Sequence, residues 1–394
     1  MIDLSTNLGS RLREARRARG ISQVEVAEGL GISRPTLIAV EQGRRQPTTS
    51  ELVDMARIYG RQVHELVRES QPVEALSVRF RLEAGTEDET RAAVDTLQRV
   101  ADDVVELESM LGASAPRAWS PPYDVSGLPL DVAASQVAES ERRRLGLGSG
   151  PLSRLRDILE EDFGVRVFAV DLPSRIAGLF AVAEPVGACI AINARHPHER
   201  QRWTLAHELG HFLLHRESPE VTTIEPTRGR GERLAEAFAA CFLMPDDGLT
   251  RRFQSARQAR GGQFTAVDLL QLAAHYEVSA QAMALRLEGL RLVEGGWWES
   301  LIARGLRVQD AREQIGIEQN RGDSELLPLR SQYLAVGAYL DGALSEGLLA
   351  RTLHADRVTA RETVRRLAGS SDVAAEGSLQ SWVLQPGQPE GSID

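Results

Sequence analysis

The strongest chemical signal in this chain of 394 residues is the pentapeptide HELGH at 207–211. Residues four apart on a helix lie on the same face, so His207 and His211 can hold one metal ion together. Two imidazoles with a neighbouring acid suit catalytic zinc, and Glu208 would then lie beside the open coordination position as general base. The motif therefore predicts a Zn²⁺ site with hydrolytic chemistry.

A third ligand is expected from the next helix. The Ala-rich stretch 232–244 carries Glu232 and Glu236 one turn apart on one face and stops at Pro245. A carboxylate on a largely apolar helix has a high burial cost unless it is paired or bound to a metal. The residues alone leave open which acid is the ligand, or whether both are solvated. His215, one turn beyond His211, is expected beside the site rather than on the metal.

The first 70 residues carry the signals of short, packed helices. Ser22–Glu25 and Thr48–Glu51 are capping boxes, in which the first side chain and the last cap each other's backbone. Gly31 falls where the chain needs a sharp turn, and Ser33 is placed to cap the helix that follows. The pattern predicts a helix-turn-helix, with a protein-interaction bundle as the alternative.

This layout resembles the phage-repressor (Cro/C1, or XRE) type of helix-turn-helix over about residues 8–67. The resemblance lies in ISQVEVA (21–27), GISRPTL (31–37) and EQG (41–43). In such modules the second helix enters the major groove, so the implied partner is a double-stranded DNA operator. The resemblance implies phosphate contacts from Gln23, Arg44 and Arg45. It implies base contacts from Ser33, Arg34 and Thr36.

The segments around the histidines resemble the ImmA/IrrE family of zinc metallopeptidase-like proteins over about residues 150–292. The matching features are a strand ending at Ile192-Asn193, the HELGH motif, and the helix from Glu232 to Pro245. The resemblance implies an α+β, zincin-like domain with zinc on His207, His211 and Glu232, and with Glu208 as general base. The family includes proteins that cleave phage-type repressors, which implies a repressor-like protein as a possible substrate.

Hydrophobic periodicity places these motifs in a mostly α-helical chain. The apolar runs 165–172, 176–182 and 188–193 predict a small sheet. Residues 264–292 repeat the helix-turn-helix spacing without a cation on the presumed reading face, and are expected to pack inside their domain. The predicted divisions are a five-helix lambda-repressor-like domain (1–69), a linker (70–130), the metallopeptidase-like domain (131–300), a helical region without assigned function (301–382) and a disordered tail (383–394).

The linker is predicted to contain a strong helix over 90–111. Leu97, Val100, Val104, Leu107 and Leu111 alternate at three- and four-residue spacing. The pattern leaves two interpretations open: the helix packs on its own domain, or the stripe is the seam of a homodimer. Dimerisation would double the phosphate contacts of a weakly charged module, so we expect a homodimer.

Charge is distributed unevenly along the chain. The formal net charge is −10, but residues 1–69 carry 11 Arg against nine acids, or +2, which leaves −12 for the remainder. An acidic protein does not bind nucleic acid with its whole surface, but a small module can. Two Cys form no disulfide framework, and no signal peptide or long apolar run is visible. We therefore expect a cytoplasmic protein without a membrane partner.

Together these features predict a sequence-specific, DNA-binding transcriptional regulator. Its metallopeptidase-like domain would sense a signal, or cleave a repressor-type protein or the chain itself. The residues do not decide whether the domain is an active zinc metalloendopeptidase. One alternative is a ligand-sensing regulator with a non-catalytic zinc scaffold. Another is an antitoxin or phage-defence component that binds a protein partner.

Overall fold

The structure is a computed structural model that describes residues 4–61, 63–67, 88–113, 119, 122–215, 220–223, 229–318 and 325–368. The predicted tail, 383–394, and the beginning of the predicted linker, 70–87, lie outside the described residues. The chain divides into two compact units, Met1–Leu329 and Arg330–Asp394. Residues 301–329, predicted to belong with the C-terminal region, are therefore part of the first unit.

The N-terminal module consists of five helices, as predicted. Both capping boxes are present, Gly31 adopts the left-handed conformation with φ of 65°, and Ser33 caps the third helix. Apolar faces of all five helices meet in a small core that includes Leu12, Val26, Leu37 and Met55. The helices are α1 (Leu4–Ala18), α2 (Gln23–Leu30), α3 (Arg34–Glu41), α4 (Thr49–Tyr59) and α5 (Val63–Leu66).

Helix α6 (Asp88–Met110) is the helix predicted in the linker. Its apolar stripe is buried within the single chain: Leu97, Val100, Val104 and Leu107 are each at most 3% exposed. Towards the end of the helix, Glu108 forms a buried, two-pronged ion pair with Arg166, at 2.6 and 2.8 Å. These four side chains are thus packed within their own chain, in agreement with the first of the two interpretations, whereas Leu111 is half-buried.

The next domain is built on a four-stranded sheet with strand order β1-β3-β2-β4. β1 is parallel to β3, whereas β2 is antiparallel to both β3 and β4. The three predicted strands are present, and β4 was not predicted. Strands and preceding helices are α7 (Leu130–Arg144), α8 (Leu155–Asp157) with a π-turn (Ile158–Asp162), β1 (Arg166–Val170), β2 (Ile176–Ala183), β3 (Gly187–Asn193) and β4 (Glu220–Thr223).

Two long helices on this sheet carry the predicted site. α9 (His198–His215) contains HELGH and packs against β2 and β3, and α10 (Arg230–Leu243) packs against α9 and α7. The sheet and these helices enclose one apolar core, which also receives residues of the later helices. The later helices of the unit are α11 (Asp246–Ala259), α12 (Ala266–Tyr276), α13 (Ala280–Gly289), α14 (Trp297–Ala303) and α15 (Val308–Gln314).

The pair α12–α13 has helix-turn-helix geometry but an internal role. Thr265 and Asp268 form a capping box, and Ser279 caps α13 much as Ser33 caps α3. Ala280, at the position equivalent to Arg34, is buried, and Met283 lies in the core of the domain. The presumed reading face carries no cation, so this pair was expected to pack inside its domain. The burial of Ala280 and Met283 agrees with that expectation.

The second unit contains α16 (Leu329–Leu340) from its second residue, α17 (Glu346–Thr352) and α18 (Arg357–Ala368). The sequence favours Leu329, Tyr333, Leu340 and Leu348 as core residues of this region. Leu329 and Leu348 are half-buried, but Tyr333 and Leu340 are each 52% exposed. Ala335, Val336 and Leu349 are buried instead. The prediction of Tyr333 and Leu340 was wrong because apolar character alone does not show which face of a short helix meets its neighbours.

Among the described residues, no helix combines the length and the apolar character needed to cross a membrane. Cys189 and Cys241 are buried and are not joined by a disulfide bond.

Candidate functional site

Close packing of α9 on α10 brings the site together. A Cβ atom at Gly210, inside HELGH, would lie 3.1 Å from the Cα of Ala235 and 3.1 Å from the ring of Phe238. Because the obstacle includes backbone, any side chain at this position would force the helices apart. Gly210 therefore allows α10 to carry Glu232 up to the two histidines.

Three side chains converge on one point at this crossing. The Nε2 atoms of His207 and His211 are 3.0 Å apart. Oε2 of Glu232 lies 3.3 Å from Nε2 of His207, and Oε1 of Glu232 lies 3.3 Å from Nε2 of His211. Tetrahedral zinc with bonds of about 2.0–2.1 Å separates its ligand atoms by about 3.3 Å. Within the described part of the chain, these three residues form a group that could hold a metal ion, with one ligand atom from each and all three atoms within 4.8 Å of one another.

The electrostatics of His207 reflect the surrounding carboxylates. Burial alone would lower the pKa of His207, but hydrogen bonds with Glu232 and Glu236 outweigh it and raise the pKa to about 10. The charge of Glu208 acts in the same direction. A buried imidazole that favours a positive charge this strongly lies in a site that attracts cations.

Glu208 occupies a space made for it by the sheet. Its side chain is completely buried. A Cβ atom at Gly178 of β2 would lie 3.0 Å from a carboxylate oxygen of Glu208 and 2.5 Å from the methyl group of Thr204. Gly178 was not singled out in the sequence, and only the pairing of α9 with β2 reveals that it makes room for the acid.

The second candidate acid, Glu236, does not share the metal point. Its Oε2 atom lies 3.2 Å from Nδ1 of His207, on the opposite side of the ring from Glu232, and accepts a hydrogen bond of 3.0 Å from the Trp203 indole. Glu236 thus lies at Nδ1 of His207, whereas Glu232 lies beside Nε2 of both histidines. The place of Trp203 one turn before His207 on the same helix was a usable signal in the sequence.

His215 lies beside the site, as expected, and outside the His-His-Glu group. Its half-buried ring packs over Gly231, where a Cβ atom would lie 3.6 Å from it. Burial and the neighbouring His211 lower the pKa of His215.

The predicted base-contacting residues lie at the exposed beginning of α3. Arg34 and Ser33 are exposed and Thr36 is half-buried. The Ser33 hydroxyl accepts the Thr36 backbone N–H at 3.2 Å and lies 2.7 Å from the Thr36 hydroxyl. The helix cap therefore uses part of the hydrogen-bonding capacity of Ser33 and Thr36, whereas Arg34 projects at the surface.

The predicted phosphate-contacting residues differ in how they are held. Arg45 forms two parallel hydrogen bonds with Glu51, at 2.9 and 3.0 Å. Gln23 donates a hydrogen bond of 2.9 Å to Glu41, which is itself paired with Arg16. Arg44 is exposed and contacts the nearby Gln42 side chain. Of these three residues, Arg44 is the most open to a phosphate.

Comparison with protein-family models identifies two domains. Residues 7–68 match the helix-turn-helix domain, and residues 160–288 match the IrrE N-terminal-like domain. The first match covers α1–α5, and the second includes the four strands, α9 and α10. The two resemblances inferred from the sequence are thereby confirmed.

Curated relatives share short regions with this chain. The cryptic phage CTXphi transcriptional repressor RstR of Vibrio cholerae is 36% identical over 62 residues, which are 16% of this chain and 56% of that protein. An uncharacterized HTH-type transcriptional regulator, y4dJ, of Sinorhizobium fredii is 36% identical over 66 residues, covering 17% of this chain and 86% of the relative. The HTH-type transcriptional regulator DdrOP3 of Deinococcus deserti is 40% identical over 60 residues, or 15% and 46% of the two chains. The chain thus spans about half the length of two of these relatives. No solved structure matches it.

Proposed function

The chain belongs to the helix-turn-helix transcriptional regulators and carries an IrrE N-terminal-like domain, and from this premise we propose that it is a DNA-binding regulator whose second domain is a zinc metallopeptidase. The convergence of His207, His211 and Glu232, with a buried Glu208 beside them, carries the proposal. Three protein ligands are the pattern of catalytic zinc sites, whereas structural sites use four.

The donor set fits zinc better than harder cations. Two imidazole nitrogens and one carboxylate oxygen suit Zn²⁺, whereas Mg²⁺ and Ca²⁺ prefer oxygen ligands alone. When bound, zinc would supply Lewis-acid chemistry, polarising a substrate carbonyl and lowering the pKa of water to about 7.

Glu208 is the residue proposed to move the proton. It follows His207 directly in α9, and its side chain is completely buried. In peptide hydrolysis Glu208 would accept a proton from the attacking water and deliver it to the leaving amine. The proposed substrates are a repressor-like protein or the chain itself, with the 112–130 segment as the place of self-cleavage.

The DNA-binding half of the proposal is supported by the module at 7–68. It has the helix-turn-helix arrangement, in which a second helix enters the major groove. Arg34 is exposed in the first turn of that helix, and Arg44 is exposed just beyond its end. Arg34 is proposed to read a base edge and Arg44 to contact phosphate.

One experiment tests the peptidase half directly. The full-length chain is loaded with zinc, its metal content is measured, and cleavage of the chain and of a Cro/C1-type repressor is followed by mass spectrometry. Glu208→Gln should retain one zinc per chain and lose cleavage by about 10²–10⁴-fold, because it removes the general base and preserves the ligands. Glu299→Gln, which removes an exposed acid on α14, is the matched control.

Equal cleavage by the wild type and Glu208→Gln would overturn the peptidase assignment and leave the DNA-binding half intact. Genome-wide occupancy of the same two proteins then shows whether hydrolysis changes promoter binding.

A further inference from the structure

We propose that Trp203 and Glu236 form a clamp that positions His207 for metal binding. The proposal rests on the metal site of the proposed function, but not on peptidase activity. It assigns a role to an indole N–H and to an acid that is not a ligand.

The clamp is a pair of hydrogen bonds to one oxygen atom. Oε2 of Glu236 accepts the Trp203 indole N–H at 3.0 Å and lies 3.2 Å from Nδ1 of His207. A carboxylate only accepts hydrogen bonds, so with a metal on Nε2 this contact would hold the remaining ring proton on Nδ1. The Nε2 atom, which faces His211 and Glu232 at 3.0 and 3.3 Å, is then the one that presents a lone pair to the metal.

Trp203 restricts the rotamer freedom of the Glu236 side chain. The Glu236 side chain is 58% exposed, and a carboxylate in such a position loses rotamer entropy when it is held in one geometry. The indole N–H is a donor without acceptor capacity, on a half-buried ring with only two side-chain torsions. It therefore holds the carboxylate against His207 at low entropic cost.

Helical spacing places both clamp residues one turn away from residues of the metal site. Trp203 lies four residues before His207 on α9, and Glu236 lies four residues after Glu232 on α10. The close approach at Gly210 that joins Glu232 to the histidines therefore also joins Glu236 to Trp203 and His207. One helix crossing positions both the ligands and the groups behind them.

The test measures the zinc affinity of the full-length chain by competition with a chromophoric chelator. Glu236→Ala should weaken zinc binding about 10–100-fold, the usual cost of losing a group behind a metal-bound histidine. Glu236→Gln should retain most of the affinity, because its amide oxygen can accept both N–H groups. Trp203→Phe, which removes only the donor, should weaken binding about fivefold.

Trp298→Phe is the matched control. Trp298 is another half-buried tryptophan packed on the same apolar core, and we expect its substitution to leave the zinc affinity unchanged. The unfolding transition of each variant is also measured without metal. A clamp that acts only on zinc binding leaves this transition near the wild-type value. If zinc affinity falls only in variants whose metal-free unfolding transition is also lowered, the clamp proposal is overturned.

A double-mutant cycle gives the sharpest result. If Trp203 acts through Glu236, Trp203→Phe has no further effect on zinc affinity in the Glu236→Ala background. Additive losses, or wild-type affinity in both single variants, would overturn the proposal. A chain that binds zinc with these effects but cleaves nothing supports the clamp and refutes the peptidase, so the two failures are distinguishable.

Discussion

The N-terminal module and the metal centre both bury polar side chains, but with opposite charge balance. In the module, Arg16 and Glu41 form a buried ion pair at 2.6 Å, and the Gln23 side chain donates a further hydrogen bond to Glu41. In the metal centre, three carboxylates surround two imidazoles, within hydrogen-bonding or short electrostatic range of His207. The first network is neutral as a whole, and the second carries excess negative charge.

This difference separates a structural network from a binding site. A matched ion pair satisfies itself and needs no ligand, whereas excess buried charge of one sign is costly until a counter-ion or protons neutralise it. The carboxylates around His207 raise the pKa of its imidazole, which is the electrostatic effect of this charge excess. Burial of polar groups in itself therefore does not indicate function, and the charge balance of the group is more informative.

The largest expected effect is in the module. Glu41→Ala would leave Arg16 as a buried, unmatched charge, and should destabilise the module by about 3–5 kcal/mol. Hydrogen exchange of peptides from residues 7–66 measures the loss, and operator binding should disappear with it. Asp54→Ala, which breaks an exposed pair with Arg57, is the control and should cost at most about 1 kcal/mol. Equal protection in the two variants would contradict a structural role for the buried network.

In the metal centre, Glu232→Ala should remove metal without unfolding the domain. Structural zinc sites with four ligands contribute about 10–16 kcal/mol in total, so we expect the loss of one ligand to cost about 3–4 kcal/mol of zinc affinity. Metal analysis after dialysis and chelator competition measure the effect. Arg233→Ala, an exposed neighbour on α10, is the control. A loss larger for Glu236→Ala than for Glu232→Ala would reverse the assignment of the two acids.

Substitutions at two glycines, Gly210 and Gly31, compare the backbone constraints of the two regions. Gly210→Ala should cost about 1–3 kcal/mol and weaken zinc binding, because the added methyl meets the backbone of Ala235. Gly31→Ala has open space around it and should cost only about 1 kcal/mol, from its left-handed conformation. Hydrogen exchange in α9–α10 and in α2–α3 measures the two costs. If Gly210→Ala destabilised the protein less than Gly31→Ala, α9 and α10 would be able to move apart easily.

DNA binding should distinguish three arginines of the module. Arg34→Ala should lose about 1–3 kcal/mol of affinity for the selected operator and little for random DNA. Arg44→Ala should weaken both and reduce the salt dependence by about one unit, whereas Arg45→Ala should change less because Glu51 holds its guanidinium. Anisotropy titrations at several salt concentrations measure these effects. Identical titrations for all three would contradict this placement of the reading helix.

The smallest expected effect concerns pH. Burial opposes ionisation of Glu277, but contacts with His198 and Arg202 prevail and lower the pKa of Glu277. A carboxyl with a lowered folded-state pKa stabilises the protein at neutral pH, and this contribution disappears as the pH falls through the acidic carboxyl range. Glu277→Gln should therefore flatten acid unfolding of the domain by about 1 kcal/mol or less. Unchanged acid sensitivity would mean that the ion pair contributes nothing.

Much of the local structure was predictable from the residues. The capping boxes at Ser22 and Thr48, the turn at Gly31 and the three apolar strands appear where the sequence indicates them. Contacts between distant segments were not predictable. The burial of α6 and the exposure of Tyr333 both depend on which faces find neighbours, and the alternation of apolar residues is the same whether a stripe meets its own domain or another chain.

For the candidate site, the spacing of HELGH alone places two imidazoles together, because the helical period fixes which residues share a face. The order of motifs in the chain also indicates a helix-turn-helix followed by a metallopeptidase-like domain. Only the tertiary structure shows that Glu232 lies beside Nε2 of both histidines and Glu236 beside Nδ1 of His207, since both acids share one face of α10. Their roles depend on how closely α10 crosses α9, and that distance is set at Gly210, where backbone meets backbone.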